Sequence, residues 1–377
     1  MVATARFPPP RKTVGMSVRG LVLEAPRHLV EHRFPVPEIG EADGLLRVEA
    51  CGLCGTDHEQ YCGALGGGFA FIPGHEVVGV IDAIGPAAAD RWGVRQGDRV
   101  AVAALPSCRE CRECRTGHYQ RCVRHGLRDM YGYVPINRPP ALWGGYAEYQ
   151  YLAADTMLFK VPEGLDPVLA TMFNPLGAGI SWGSTLPRTG KGDVVAVLGP
   201  GIRGLCAVAA AKAAGAGFVL VTGLGERDGG RLVLASEFGA DLTVDVERTD
   251  PASALKKTTG GLADIVVDVT ARAPGALAQA VALARPGGTI VIAGTRGSSD
   301  TPGFWPDLLV FKELRVLGAL GVDGPAYHSA LDLLHSGRLP FAELPRRCEP
   351  LGGADSLLRL MAGELDQPAP VHAVLRP

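Results

Sequence analysis

Hydrophobic patterning divides the chain into two textures. Up to about residue 165 the apolar residues come in short runs interrupted by Gly and Pro. Segments 17–24, 45–50, 77–81 and 99–103 predict strands joined by turns, hence an irregular, mostly β domain. From about residue 166 longer apolar runs alternate with Ala-rich stretches. Segments 193–198, 218–222, 265–269 and 289–293 predict buried strands, and 205–215 and 275–284 predict helices. Alternation of strand and helix is the pattern of a parallel, doubly wound sheet, so the class is α/β. After about residue 321 the chain is expected to return to the first domain. The predicted division is therefore 16–174 with 321–377, and 175–320. Residues 1–15 lack the apolar core of a signal peptide and are expected to be a flexible extension.

The length of 377 residues agrees with two domains. Apolar residues make up 47% and charged residues 20%, enough for a large core and too apolar for disorder. The net charge of −2 argues against a nucleic-acid partner, and no apolar run is long enough to span a bilayer. Nine cysteines is an odd number, and four are clustered at metal spacing. That suits a metalloprotein in a reducing cytoplasm better than a disulfide scaffold.

Cys108, Cys111, Cys114 and Cys122 are separated by two, two and seven residues. Four thiolates this close together make a closed tetrahedral cage for a structural zinc, with no position left for substrate. Cys54-Gly-Thr56-Asp57-His58-Glu59 and Gly74-His75-Glu76 offer a different set: thiolate, imidazole and carboxylate in two nearby loops. This is a candidate open zinc site, able to polarise an alcohol or carbonyl oxygen. Asp57 is positioned to take the second imidazole NH of His75, and Thr56 to relay a proton. Cys51, Cys62, Cys206 and Cys348 are expected to be packing residues.

Gly199-Pro-Gly201-Ile202-Arg203-Gly204 has the G-x-G-x-x-G spacing directly after a predicted strand and ahead of a helix, the context in which it binds a dinucleotide. A carboxylate for the adenosine ribose is expected about 20 residues on. Gly223 stands there instead, with Glu226 and Arg227 following. The missing carboxylate removes repulsion against a 2′-phosphate, and Arg227, Arg203 or Arg231 could meet that phosphate. NADP is favoured over NAD on this ground, with Glu226 opposing.

These motifs together resemble the zinc-dependent medium-chain alcohol and polyol dehydrogenases over nearly the whole chain. Cys54-Gly-Thr-Asp is similar to that family's first zinc-ligand motif, and Gly74-His-Glu-Val-Val-Gly to its G-H-E-x-x-G signature. Gly97-Asp-Arg-Val100, the cysteine lobe, Gly144-Gly-Tyr-Ala-Glu148, the glycine fingerprint and Phe311-Lys-Glu-Leu314 follow in the family's order. The resemblance implies a GroES-like β domain carrying two zincs, one catalytic and one structural, beside a Rossmann domain. It further implies hydride transfer between NAD(P) and an alcohol, polyol or carbonyl substrate, in a homodimer or homotetramer. Cys54 and His75 become ligands, Thr56 the proton relay, and Glu76 a ligand or a supporting carboxylate. Two positions depart from the family pattern. Asn174, before Pro175-Leu176, stands where a charged ligand is usual; either its amide oxygen binds the zinc weakly, or Glu76 or a water completes the shell. Glu59 replaces a common histidine, which makes it a candidate base or substrate contact, with His58 a lesser one. The alternatives are a zinc-free quinone or enoyl reductase of the same fold, and a non-catalytic nucleotide-binding protein with a decayed zinc site.

Overall fold

The computed structural model describes residues 15–297 and 300–377. Apart from Gly15, the expected N-terminal extension lies outside the described residues. The chain forms two compact units, one from the residues up to Phe173 together with Pro345–Pro377, the other Asn174–Leu344.

The first unit is built around the strand Gly44–Leu53, in which Leu45, Leu46, Val48, Ala50, Cys51 and Leu53 are all buried. Adjacent apolar residues point to opposite faces of a strand, so this one is covered on both sides. It pairs antiparallel with Glu76–Ile84, Tyr149–Leu152 and His372–Leu375. The C-terminal tail thus supplies sheet strands, with Arg346–Glu349 lying parallel to His372–Leu375 at the sheet margin. Cys348, expected to pack, is exposed on that marginal strand.

The second unit holds six parallel strands. Their order across the sheet is Leu242–Asp245, Phe218–Gly223, Val194–Leu198, Ala263–Asp268, Ala284–Ile292, Arg315–Gly318. Numbered along the unit this is 3-2-1-4-5-6, the doubly wound order that opens a crevice between the first and fourth strands. The return to the first unit comes at Pro345, later than the expected 321. The helix Gly324–Ser336 buries Tyr327, Ala330, Leu331 and Leu334. Tyr327 and Val322 crowd Gly177 so closely that a Cβ there would come within 2.8 Å of Val322. This apolar stripe ties 322–344 to the nucleotide unit.

Candidate active site

The central strand Gly44–Leu53 delivers Cys54 to the start of the short helix Gly55–Tyr61. The Cys54 backbone NH donates to Asp57 Oδ2 at 2.8 Å, which fixes the turn that exposes the thiol inward. Gly74, at φ +95, turns the chain so that His75 immediately precedes the next strand and Glu76 opens it. Cys54, His75 and Glu76 are 4%, 5% and 2% exposed, and their ligand atoms lie within 4.8 Å of one another. Cys54 Sγ is 3.3 Å from His75 Nε2. Thiolate and imidazole ligands of one tetrahedral zinc stand about 3.5 Å apart, given its bond lengths. On the far side of the ring, His75 Nδ1 faces the buried Asp57 Oδ1 at 3.7 Å. The donor set, its spacing and this carboxylate behind the imidazole all fit zinc.

Glu76 is accommodated by Gly52, its pairing partner on the neighbouring strand. A Cβ at Gly52 would lie 2.6 Å from Glu76 Oε2. Thr56 and Glu59 are half-buried on the helix that starts at Cys54. His58 is drawn elsewhere: its Nε2 lies 2.9 Å from Glu364, which Arg27 also grips through two hydrogen bonds of 2.8 Å. Asn174 belongs to the second unit, where its amide nitrogen lies 3.5 Å from the Tyr327 hydroxyl.

The four cysteines of the loop 108–122 also converge, with sulfurs within 4.8 Å of one another. Cys108 and Cys114 sulfurs are 3.7 Å apart, matching the roughly 3.8 Å edge of a zinc–thiolate tetrahedron. Backbone NH groups point at the sulfurs: Cys111 at Cys108 Sγ and Cys114 at Cys111 Sγ, each at 3.4 Å. Burial pushes the Cys122 thiol up, yet hydrogen bonds from the backbone amides around it prevail and bring it down to about 6. Burial pushes Cys114 up to about 12. The loop is moored by His125, held between Asp129 at 2.8 Å and Asp155 at 2.7 Å, and by Arg109, which donates to Thr156 O at 2.6 Å.

In the second unit the strand Val194–Leu198 ends at Gly199, with φ +98, before the helix Ile202–Ala213. A Cβ at Gly204 would fall 1.9 Å from Gly199 O, so only glycine lets the helix approach the strand. A Cβ at Gly201 would meet nothing within 4 Å, leaving that backbone open to a phosphate. Arg203 is stacked on Trp182, 5.4 Å from its ring centre. At the end of the second strand, Gly223 is closely packed by Pro200, Leu232 and Asp228. Arg227 is 73% exposed, while Arg231 turns to Asp228 at 3.5 Å. Sequence reasoning missed a pair at the carboxyl ends of the fourth and fifth strands. Arg296 donates to the fully buried Asp268 and to the carbonyls of Gly294 and Ala273, and Asp268 also accepts from Thr270 Oγ1 at 2.6 Å. No motif marks it, because the partners are 28 residues apart.

The alcohol dehydrogenase GroES-like domain family matches residues 40–163, and the zinc-binding dehydrogenase family matches residues 204–336. A Mycobacterium tuberculosis protein named as a probable alcohol dehydrogenase is 68% identical over 364 residues, covering 96% of this chain and 99% of its own. An erythritol/L-threitol dehydrogenase of Mycolicibacterium smegmatis is 32% identical, covering 92% and 94%. A Sinorhizobium meliloti protein assigned as a zinc-binding dehydrogenase, solved with NADP bound, superposes with a TM-score of 0.80 at 29% identity, covering 96% of this chain and all of the other. Fold and relatives together define an NAD(P)-dependent dehydrogenase made of a GroES-like and a Rossmann domain. The chain belongs to the zinc-dependent medium-chain dehydrogenase family.

Proposed function

We propose that the protein is a zinc-dependent oxidoreductase that moves a hydride between NADP and the carbinol carbon of a small alcohol, polyol or sugar, or the matching carbonyl. The convergence of Cys54, His75 and Glu76, with Asp57 behind the imidazole, carries this reading. Those three residues would hold the catalytic ion, and Cys108, Cys111, Cys114 and Cys122 the structural one. When bound, zinc supplies Lewis acidity and the nicotinamide accepts or returns the hydride. The chain's own residues do the rest. Asp57 orients the His75 ring, the Thr56 hydroxyl passes a proton toward solvent, and Glu59 serves as base or substrate contact. Gly199, Gly201, Ile202, Arg203 and Gly204 form the phosphate turn.

The absence of a carboxylate at Gly223 and the exposure of Arg227 support NADP. Gly223→Asp is expected to raise the KM for NADP about tenfold relative to NAD, roughly 1.4 kcal/mol of discrimination. It should also lower the melting temperature, since its Cβ would lie 3.0 Å from Pro200 Cγ. An unchanged NADP/NAD ratio would remove position 223 from cofactor selection.

No disulfide joins any of the nine cysteines, all of them among the described residues, which suits a reducing cytoplasm. No helix among the described residues is long and apolar enough to cross a membrane. The strand Arg315–Gly318 ends its sheet with Val316 exposed, and Val310, Phe311 and Leu320 are exposed near it in sequence. An apolar unpaired edge supports a homodimer or homotetramer.

The deciding test is a nicotinamide absorbance assay of zinc-loaded protein against a panel of alcohols, polyols and carbonyls. Turnover that vanishes on zinc removal and returns on addition supports the proposal. Turnover undiminished without zinc would favour a zinc-free reductase.

A further inference from the structure

Four buried polar atoms behind His75 have no hydrogen-bond partner among the described residues: Asp57 Oδ1, Gln60 Oε1, His75 Nδ1 and the Tyr146 hydroxyl. Their residues are 1%, 2%, 5% and 0% exposed. Such groups rarely stay unsatisfied in a folded core, where each costs about 1–3 kcal/mol.

Tyr146 packs on Gly74, Asp57 faces the adjoining His75, and Gln60 reaches Gly74 through Gly132. The Tyr146 ring lies against Gly74, so that a Cβ there would be 2.6 Å from Tyr146 Cδ1 and 3.0 Å from Cε1. Gln60 donates its amide to Gly132 O at 3.3 Å, and Gly132 in turn presses on Gly74, where its own Cβ would be 2.7 Å from Gly74 O. Asp57 lies one helical turn before Gln60, and His75 follows Gly74. Burial, and after it the nearby Asp57 carboxylate, hold the Tyr146 hydroxyl well above its ordinary range, so it stays a donor. At 3.7 Å, Asp57 Oδ1 and His75 Nδ1 are too far apart for a direct hydrogen bond. One oxygen placed off the line between them would reach both at about 2.8 Å.

The donors and acceptors balance. With Nε2 turned to the metal, Nδ1 of His75 carries the proton and donates. The Tyr146 hydroxyl donates. Asp57 Oδ1 and Gln60 Oε1 accept. Two donors and two acceptors match the bonding capacity of a single water, and buried waters usually make two to four such bonds.

We propose that these four atoms enclose one bound water, and that through it Tyr146 and Gln60 are positioning residues for the His75 ring. The inference rests on the metal reading of Cys54, His75 and Glu76. It assigns the rigidity of the imidazole to a network reaching the Gly144-Gly145-Tyr146 segment, not to Asp57 alone. Groups that support a metal-bound histidine typically change metal affinity 10–100-fold when removed.

The test is the rate at which a chromogenic chelator strips zinc from the wild type, Tyr146→Phe and Tyr131→Phe. Tyr131 is also a buried tyrosine, but its hydroxyl is satisfied by Thr156 at 2.5 Å. Tyr146→Phe is expected to release one zinc per chain at least about tenfold faster while the four-cysteine zinc leaves at the wild-type rate. Tyr131→Phe should lower the melting temperature without accelerating that release. A crystal structure of the zinc-loaded protein should show a water within about 2.6–3.2 Å of both Tyr146 Oη and His75 Nδ1. Two zincs in the wild type with release unchanged by Tyr146→Phe, or both zincs released faster alike, overturns this inference alone. A wild type holding zinc only at the four cysteines overturns the metal reading with it.

Discussion

Gly52 and Glu76 face each other across two strands, and the smaller residue sets the position of the larger. With a Cβ only 2.6 Å from Oε2, Gly52→Ala must push the Glu76 carboxylate aside. The backbone at Gly52 has no positive φ, so alanine carries no backbone strain there, and its remaining close contacts, 3.2 Å to Glu76 Cβ and 3.3 Å to Thr171 Cβ, call for shifts of only a few tenths of an ångström. The variant is therefore expected to melt within a few degrees of the wild type yet lose at least about tenfold in kcat, because a carboxylate displaced by even 1 Å is misaligned. Full activity would mean that Glu76 takes no part. The glycine turn and the clusters of cysteine, histidine and glutamate were legible at this scale, because each has a local spacing. Gln60 and Tyr146 were not. Their significance depends on Gly74 and Gly132 approaching each other, a contact between positions 58 residues apart that leaves no local pattern.

The cysteine loop and the residues just after it hold only short helical turns, Arg112–Arg115, Tyr119–Arg121 and Gly126–Asp129, so its shape depends on its contacts. Closed zinc sites contribute directly to folding. Cys111→Ser should cost one zinc per chain and lower the melting temperature by several degrees, with loop residues opening to hydrogen exchange first. An unchanged melting temperature would mean that the cage is not structural. Zinc retention by this loop should also weaken as pH falls, because protons compete for the thiolates. Among the elements, the long apolar strands were readable from sequence, and seven shorter or more polar ones were not, of which three show why. His28–Pro35 alternates too irregularly, Leu242–Asp245 is only four residues, and Arg315–Gly318 is an exposed edge. All three exist because a neighbouring strand offers its ladder, information that lies outside the segment itself.

For the whole molecule, the C-terminal tail is what closes the first unit, and it carries the groups that make the fold acid-sensitive. His372 is fully buried between Thr171 Oγ1 at 2.9 Å and Arg346 Nε at 2.8 Å. Burial, and then the Arg346 charge, lower it from 6.5 to about 3. The unfolded chain therefore takes up a proton that the folded one refuses, and stability falls as pH drops from about 6.5 toward 3. Glu364 is lowered from 4.5 to about 2, first by the hydrogen bonds of Arg27 and then by His58. Its contribution is complete above about 4.5 and is lost as pH falls toward 2. Melting temperature should thus decline in two stages below neutrality, with His372→Gln flattening the upper stage and leaving the lower. A wild-type melting temperature constant from pH 7 to 5 would contradict the first stage. The two-unit architecture was visible in the change of hydrophobic texture. The boundary at Pro345 was not, since the stripe on Gly324–Ser336 is apolar whichever unit it packs against.

The central claim is that Cys54 and His75 hold an ion on which turnover depends. Its most direct test is metal analysis paired with turnover for the wild type and Cys54→Ser. The account predicts two zincs per chain in the wild type, one in the variant, at least about a thousandfold loss of activity, and an unaltered circular dichroism spectrum. Equal zinc content in the two proteins, or undiminished turnover in the variant, would contradict it.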